Sequence, residues 1–223
     1  MGHPLDNAVW HSLVGPRRSF GTVLGGAAVF DPEVSVFAGV DDGGWDDLRT
    51  LVGPGGVAWL FRPDVSPPHG WSLAAGSIPG VQLVATSSVA AVDDDRFVPL
   101  GPEDAEEVLS LVAETRPGPF GPRTIELGGY IGLREEGRLV AMAGERLRVE
   151  GFTEISAVCT APSHQRRGLG AALVSAMVAR IRGRGEEAFL HAAVSNAGAI
   201  RLYEALGFRQ RTTIDAAGVV APA

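Results

Sequence analysis

The stretch Gln165-Arg166-Arg167-Gly168-Leu169-Gly170 opens an apolar repeat, Leu169, Leu173, Met177 and Ile181. Residues four apart share one side of a 3.6-residue period, so a helix begins at the glycines. Upstream, residues 154–160 have strand composition and lead through Pro162 into the same loop. A strand entering a helix through a basic, glycine-containing turn leaves the first helical N–H groups unpaired and the positive dipole end exposed. Such a turn is an anion site, and Arg166 and Arg167 favour a pyrophosphate over a single carboxylate. A dinucleotide fingerprint would need glycine at 173, where Leu173 stands, so a Rossmann site is disfavoured.

Outward from this loop the elements alternate regularly. Downstream come a strand at 188–194, a helix at 197–206 closed by Gly207, and a strand from Phe208 onward. Upstream, Pro102 begins a helix with Glu103, Asp104, Glu106 and Glu107 in its opening turns and Val108, Leu109, Leu111 and Val112 as its apolar side. A Pro/Gly loop at 116–123 and a hairpin of 130–134 with 138–147 follow. The fold class is α/β, a mixed and strongly twisted sheet flanked by helices.

A run of Asp93, Asp94 and Asp95 before a strand at 96–100 sets an expected boundary, with a smaller α/β domain at 1–95 and the loop-bearing domain at 96–223. The first part holds 11 acids against 4 arginines and the second 15 against 15, so the whole net charge of −7 belongs to residues 1–95. Solubility accounts for that excess more simply than a field drawing cationic amines to a cleft. In the first part Asp6 is positioned to cap a helix over Val9, Trp10, Leu13 and Val14. A second helix is expected at 45–52, and strands at 56–61 and 81–86. His3, His11 and His69 lack ligand spacing.

Composition removes whole classes of chemistry. All 19 basic residues are arginine, which excludes a P-loop lysine, a pyridoxal Schiff base and a kinase strand lysine. The one cysteine, Cys159, excludes an internal disulfide framework and multi-cysteine zinc. The acidic balance argues against nonspecific nucleic-acid binding. Neither a membrane-length apolar run nor a secretory leader is read in the sequence, so a cytoplasmic protein is expected.

The order helix, hairpin, strand, Q-x-x-G-x-G, helix, strand, N-x-x-A-x-x-x-Y-x-x-x-G-F over residues 96–212 resembles the GNAT superfamily of acetyl-CoA dependent N-acetyltransferases. Residues 1–95 would suit a degenerate second lobe of the same kind. The resemblance implies that Gln165, Arg166, Arg167, Gly168, Leu169, Gly170 and Ala171 hold the pyrophosphate of acetyl-CoA. It assigns Val158, Cys159 and Thr160 to the pantetheine arm, as the end of a strand whose free edge pairs with it. Asn196 would hold the pantetheine end and Tyr203 would protonate the departing thiolate. Cys159 is read as a small buried strand residue, because transfer in this family is direct. For the base, Glu154 stands 11 residues before Gln165, where the histone acetyltransferase branch carries its glutamate; ordered water is the alternative, and Glu126 a weaker candidate. His191 is read as a satisfied structural histidine. The implied activity moves an acetyl group to a primary amine on a small molecule or peptide, in one ternary complex. The rival is a noncatalytic acyl-CoA sensor, and the edges of a split sheet allow a homodimer.

Overall fold

A computed structural model describes residues 2–74 and 76–223. In chain order the first part gives helix α1 (Ala8–Val14), strands β1 (Gly21–Leu24), β2 (Ala27–Phe30) and β3 (Phe37–Val40), helix α2 (Trp45–Val52), and strands β4 (Val57–Arg62), β5 (Ser72–Leu73) and β6 (Ile78–Ala85). The second gives β7 (Val98–Pro99), α3 (Ala105–Thr115), β8 (Ile131–Glu135), β9 (Arg138–Val149), β10 (Phe152–Thr160), α4 (Leu169–Arg182), β11 (Glu187–Ala193), α5 (Ala197–Leu206) and β12 (Phe208–Val220). Among the described residues no helix is long and apolar enough to cross a membrane.

One mixed sheet holds every described strand, in the order β1-β2-β3-β4-β12-β6-β11-β10-β9-β8-β7, with β5 paired to β12 off that path. It runs straight across the expected boundary at 93–95. Strand β6, from the first part, lies between β11 and β12 and is antiparallel to both, so residues 78–85 complete the sheet of the second part. Helix α1 also bridges the two, packing against β3 and β9. Asp6 does not cap that helix through its side chain. It accepts the His3 N–H at 3.0 Å in the one-turn helix Pro4–Asn7 and pairs with Arg211 at 2.6 Å.

The apolar repeat of α4 packs as its spacing requires. Leu173, Met177 and Ile181 are fully buried and Leu169 nearly so, on the side of the sheet where Val108 and Leu111 of α3 also lie. Full burial of each such side chain is worth about 2 kcal/mol. Leu5, Val9 and Leu13 fill a second cluster with Phe30, Leu147 and Phe189.

Strands β1, β2 and β3 were not anticipated from the sequence. Every residue of β3 is buried, so it shows no alternation of period two. The one available signal is Gly25-Gly26, the two-residue turn that joins β1 to β2, with Gly25 at φ +48°.

Two irregularities in the β9–β10 ladder shape the centre of the sheet. Ser156 faces Gly144 and Cys159 faces Met142, so β10 carries an extra residue there, with Ala157 at φ +53°. Thr153 faces Arg148 and Ile155 faces Glu145, so β9 carries an extra residue opposite Glu154. Strands β10 and β11 are parallel and pair only from Phe152–Glu187 to Ile155–Leu190. Beyond Ile155 they separate, and the sheet opens.

Candidate active site

The opening between β10 and β11 is a cleft of about 910 Å³. Val158, Cys159, Thr160, Gln165, Gly170, Asn196 and Tyr203 line one part of it, and Phe37, Trp59, Phe61, Ile78 and Phe120 another. The N–H of Ala161 is spent on the Val140 carbonyl at 2.8 Å. Strand alternation therefore turns the backbone polar groups of Thr160 and Val158 toward the open side, where no described strand pairs with them.

At the loop, Arg166 takes φ +61° and Gly168 φ +77° as the N-cap of α4. No side chain caps this helix, so the amides of Leu169, Gly170 and Ala171 point outward. A Cβ on Gly168 would meet nothing within 4 Å, leaving open approach to those amides. Leu169 itself contributes only backbone, since its side chain is in the core. Arg167 departs from expectation: its guanidinium is paired with Glu135 at 3.0 and 2.8 Å, so its charge is largely compensated by the last residue of β8.

Asn196 is the N-cap of α5, its Oδ1 accepting the Ala199 N–H at 3.1 Å, which leaves its amide NH2 free to donate into the cleft. Tyr203, two turns on, is 7% exposed, and burial pushes its phenol up to about 12. It is neutral at physiological pH and can only donate a proton. Burial likewise pushes the Cys159 thiol up to about 11, so a thiolate nucleophile is disfavoured.

Glu154, the expected base, is fully buried and absent from the cleft lining. The β9 bulge brings Arg146 and Leu147 over it. Its carboxylate accepts from Arg146 Nε at 2.9 Å, from the Leu147 N–H at 3.2 Å and from His191 Nδ1 at 2.7 Å. Burial would raise its pKa, but the Arg146 charge and hydrogen bonds, with His191 adding, hold it at about 2. A carboxylate so acidic and so fully bonded is a poor proton acceptor. Glu126 is also committed, held by Arg123 at 2.9 and 2.8 Å.

His191 lines the cleft but both its nitrogens are engaged. Gln82 Nε2 bonds the Leu5 carbonyl at 3.0 Å and His191 Nε2 at 2.9 Å, while Gln82 Oε1 accepts from Arg211 Nε. That arrangement fixes the amide orientation, makes His191 Nε2 an acceptor and puts the proton on Nδ1. Burial lowers the His191 pKa, with Glu154 opposing, so the ring is neutral. Sequence reasoning missed Arg146, Gln82 and the aromatic wall, because nothing local in the chain marks them as neighbours.

A family model, FR47-like protein, matches residues 130–215. The [Ribosomal protein bS18]-alanine N-acetyltransferase of Escherichia coli K12 is 35% identical over 81 residues, 36% of this chain, which spans about half (54%) of that relative's length. A GCN5-related N-acetyltransferase from Kribbella flavida shares the fold, with TM-score 0.61 and 21% identity over 96% of this chain and 93% of its own. The crystal structure of a putative GNAT-family acetyltransferase from Novosphingobium aromaticivorans DSM 12444 superposes with TM-score 0.89 at 39% identity, covering 100% of both chains. Full-length likeness at that identity, together with the split sheet and the uncapped loop, establishes that this chain belongs to the GNAT family.

Proposed function

We propose that the protein transfers the acetyl group of acetyl-CoA directly to a primary amine within one ternary complex. The observation that carries this reading is the meeting, in one cleft, of Gly170 in the uncapped first turn of α4, the Val158–Thr160 edge of β10 and the neutral phenol of Tyr203. The donor set fits acetyl-CoA. Outward amides and Arg166 suit the pyrophosphate, with Gly168 giving close approach. The Thr160 and Val158 backbone offers the pairing that a pantetheine amide makes with a strand edge. When bound, acetyl-CoA supplies an activated thioester.

The chain's own residues divide the remaining work. The open edge of β10 aligns the thioester and directs a backbone N–H at its carbonyl oxygen, where negative charge develops. Tyr203 donates a hydrogen bond, and finally its proton, to the departing sulfur. Among the described residues no aspartate or glutamate lines the cleft, so the proton of the incoming ammonium leaves through water. The expected pH profile has a simple form: kcat/KM should rise with pH up to the acceptor's own pKa, without an added inflection from Glu154. Residues 1–95 supply one wall of the acceptor side through Phe37, Trp59 and Phe61.

The test is a thermal melt with acetyl-CoA, then thiol release on adding amines. Ligand at about 100 times its Kd should add about 2.7 kcal/mol to stability. A rise in Tm without thiol release for any amine would favour the sensor reading instead. Tyr203→Phe should lower kcat about a hundredfold with acetyl-CoA affinity within about twofold of the parent, measured by steady-state kinetics and calorimetry. An unchanged kcat would place the acid elsewhere.

A further inference from the structure

The acceptor end of the cleft has a composition that selects among amines. Its wall is aromatic: Phe37 and Phe61 stack at 4.7 Å, and Trp59 joins them in the lining. Strand register places Ala216 between Phe61 and Ile78 in one row, and Gly80 opposite both Ile214 and Ala193 in the next. Small residues between large ones make a groove floor, and the large ones make its sides. Val36 and Ile78, both lining the cleft, are 50% and 51% exposed, an apolar rim that no described part of the chain covers.

The charges at the cleft are unusual for a site meant to receive an ammonium. Among the described residues its lining holds two arginines and no acid. The Arg146 charge is met by Glu154, and its guanidinium lies 5.1 Å from each of the Phe37 and Phe61 ring centroids, so it belongs to the wall. Arg116 is different. It sits at the C-cap of α3 in a left-handed conformation, φ +49°, is exposed, and has no ion-pair partner among the described residues. A polycationic acceptor would bring its second charge to an apolar wall and an unpaired guanidinium, without a carboxylate to receive it.

We infer that the acceptor is a primary amine on an aromatic or bulky apolar body that also bears a carboxylate, the body seated against Phe37, Trp59 and Phe61 and the carboxylate paired with Arg116. This inference rests on the acetyl-transfer reading and narrows it. A bidentate guanidinium–carboxylate pair orients such a substrate, while the apolar groove takes its side chain.

The experiment measures thiol release from acetyl-CoA with phenylalanine, phenylalaninamide, lysine and spermidine, in the parent protein and in Arg116→Gln. Phenylalanine should have the highest kcat/KM, at least about tenfold above lysine and spermidine. Arg116→Gln should lower kcat/KM for phenylalanine about tenfold, change it less than about threefold for phenylalaninamide, and leave the Kd of acetyl-CoA unaltered. Preference for spermidine or lysine would overturn the inference while leaving acetyl transfer standing. Equal losses for phenylalanine and its amide, or a weaker Kd for acetyl-CoA, would remove Arg116 from the acceptor site and overturn it as well. Absence of thiol release with all four amines, in protein whose Tm still rises with acetyl-CoA, would overturn the inference, whereas acetyl transfer itself falls only if the wider amine screen also releases no thiol.

Discussion

Glu154→Gln should destabilise the protein by about 3–5 kcal/mol, because it leaves the Arg146 guanidinium buried without its counter-charge. Urea unfolding at pH 7 measures this directly. Replacing both partners, as in Arg146→Met with Glu154→Leu, should recover much of the loss, since removing a whole buried pair is far less costly than breaking one. The pH dependence has a definite sign. The Glu154 pKa is depressed to about 2 when folded against an ordinary 4.5, so its contribution is full above about pH 5 and is lost as pH falls toward 2. His191 acts in the same direction: its folded pKa lies below the ordinary 6.5, so acidification protonates the unfolded chain first. Tm should therefore fall from pH 7 to pH 4, with a shallower acid limb in Glu154→Gln. A variant as stable as the parent would show that the pair is dispensable. A loss of kcat at undiminished stability, with a missing acid limb in the rate profile, would return the base role to Glu154.

Gly168→Asp should weaken acetyl-CoA binding about a hundredfold while leaving the fold intact. The site is the uncapped N-cap of α4, and a Cβ there meets open space. The left-handed backbone at 168 costs a residue with a Cβ about 1–2 kcal/mol, small against the several kcal/mol that hold a domain folded. The aspartate carboxylate would take the amides of α4 for itself and repel a pyrophosphate. Gly168→Asn, close in shape but neutral, should lose considerably less affinity, separating charge from bulk. Calorimetry on both variants gives the comparison, and equal affinity for parent and Gly168→Asp would remove the phosphate site from this loop.

The distribution of negative charge shows how far composition reaches. Residues 1–95 carry the excess, yet among the described residues the cleft lining they help to build contains no acid. The helix at 169–182 was legible because its burial pattern repeats every turn. The loop was legible because glycine, arginine and an adjoining helix start are local signals. Strand β6 was legible as a strand, but not in its place between β11 and β12, because pairing partners 109 residues apart leave no mark in a short window.

Glu154 makes the same division within the site. Its offset from Gln165, matched to the histone acetyltransferase branch, suggested a base, and an offset is read along the chain without knowledge of its neighbours. Its burial and its hydrogen bonds come from Arg146 eight residues away across a bulge, and from His191 37 residues away on the next strand. Local periodicity, turn chemistry and the absence of lysine were determined by the sequence, since each depends on residues within a turn or two, or on composition. The sealing of Glu154, the neutrality of His191, the aromatic wall of the cleft and the continuity of one sheet across residue 95 come from the tertiary structure. Burial and charge pairing depend on which distant segments the sheet brings side by side.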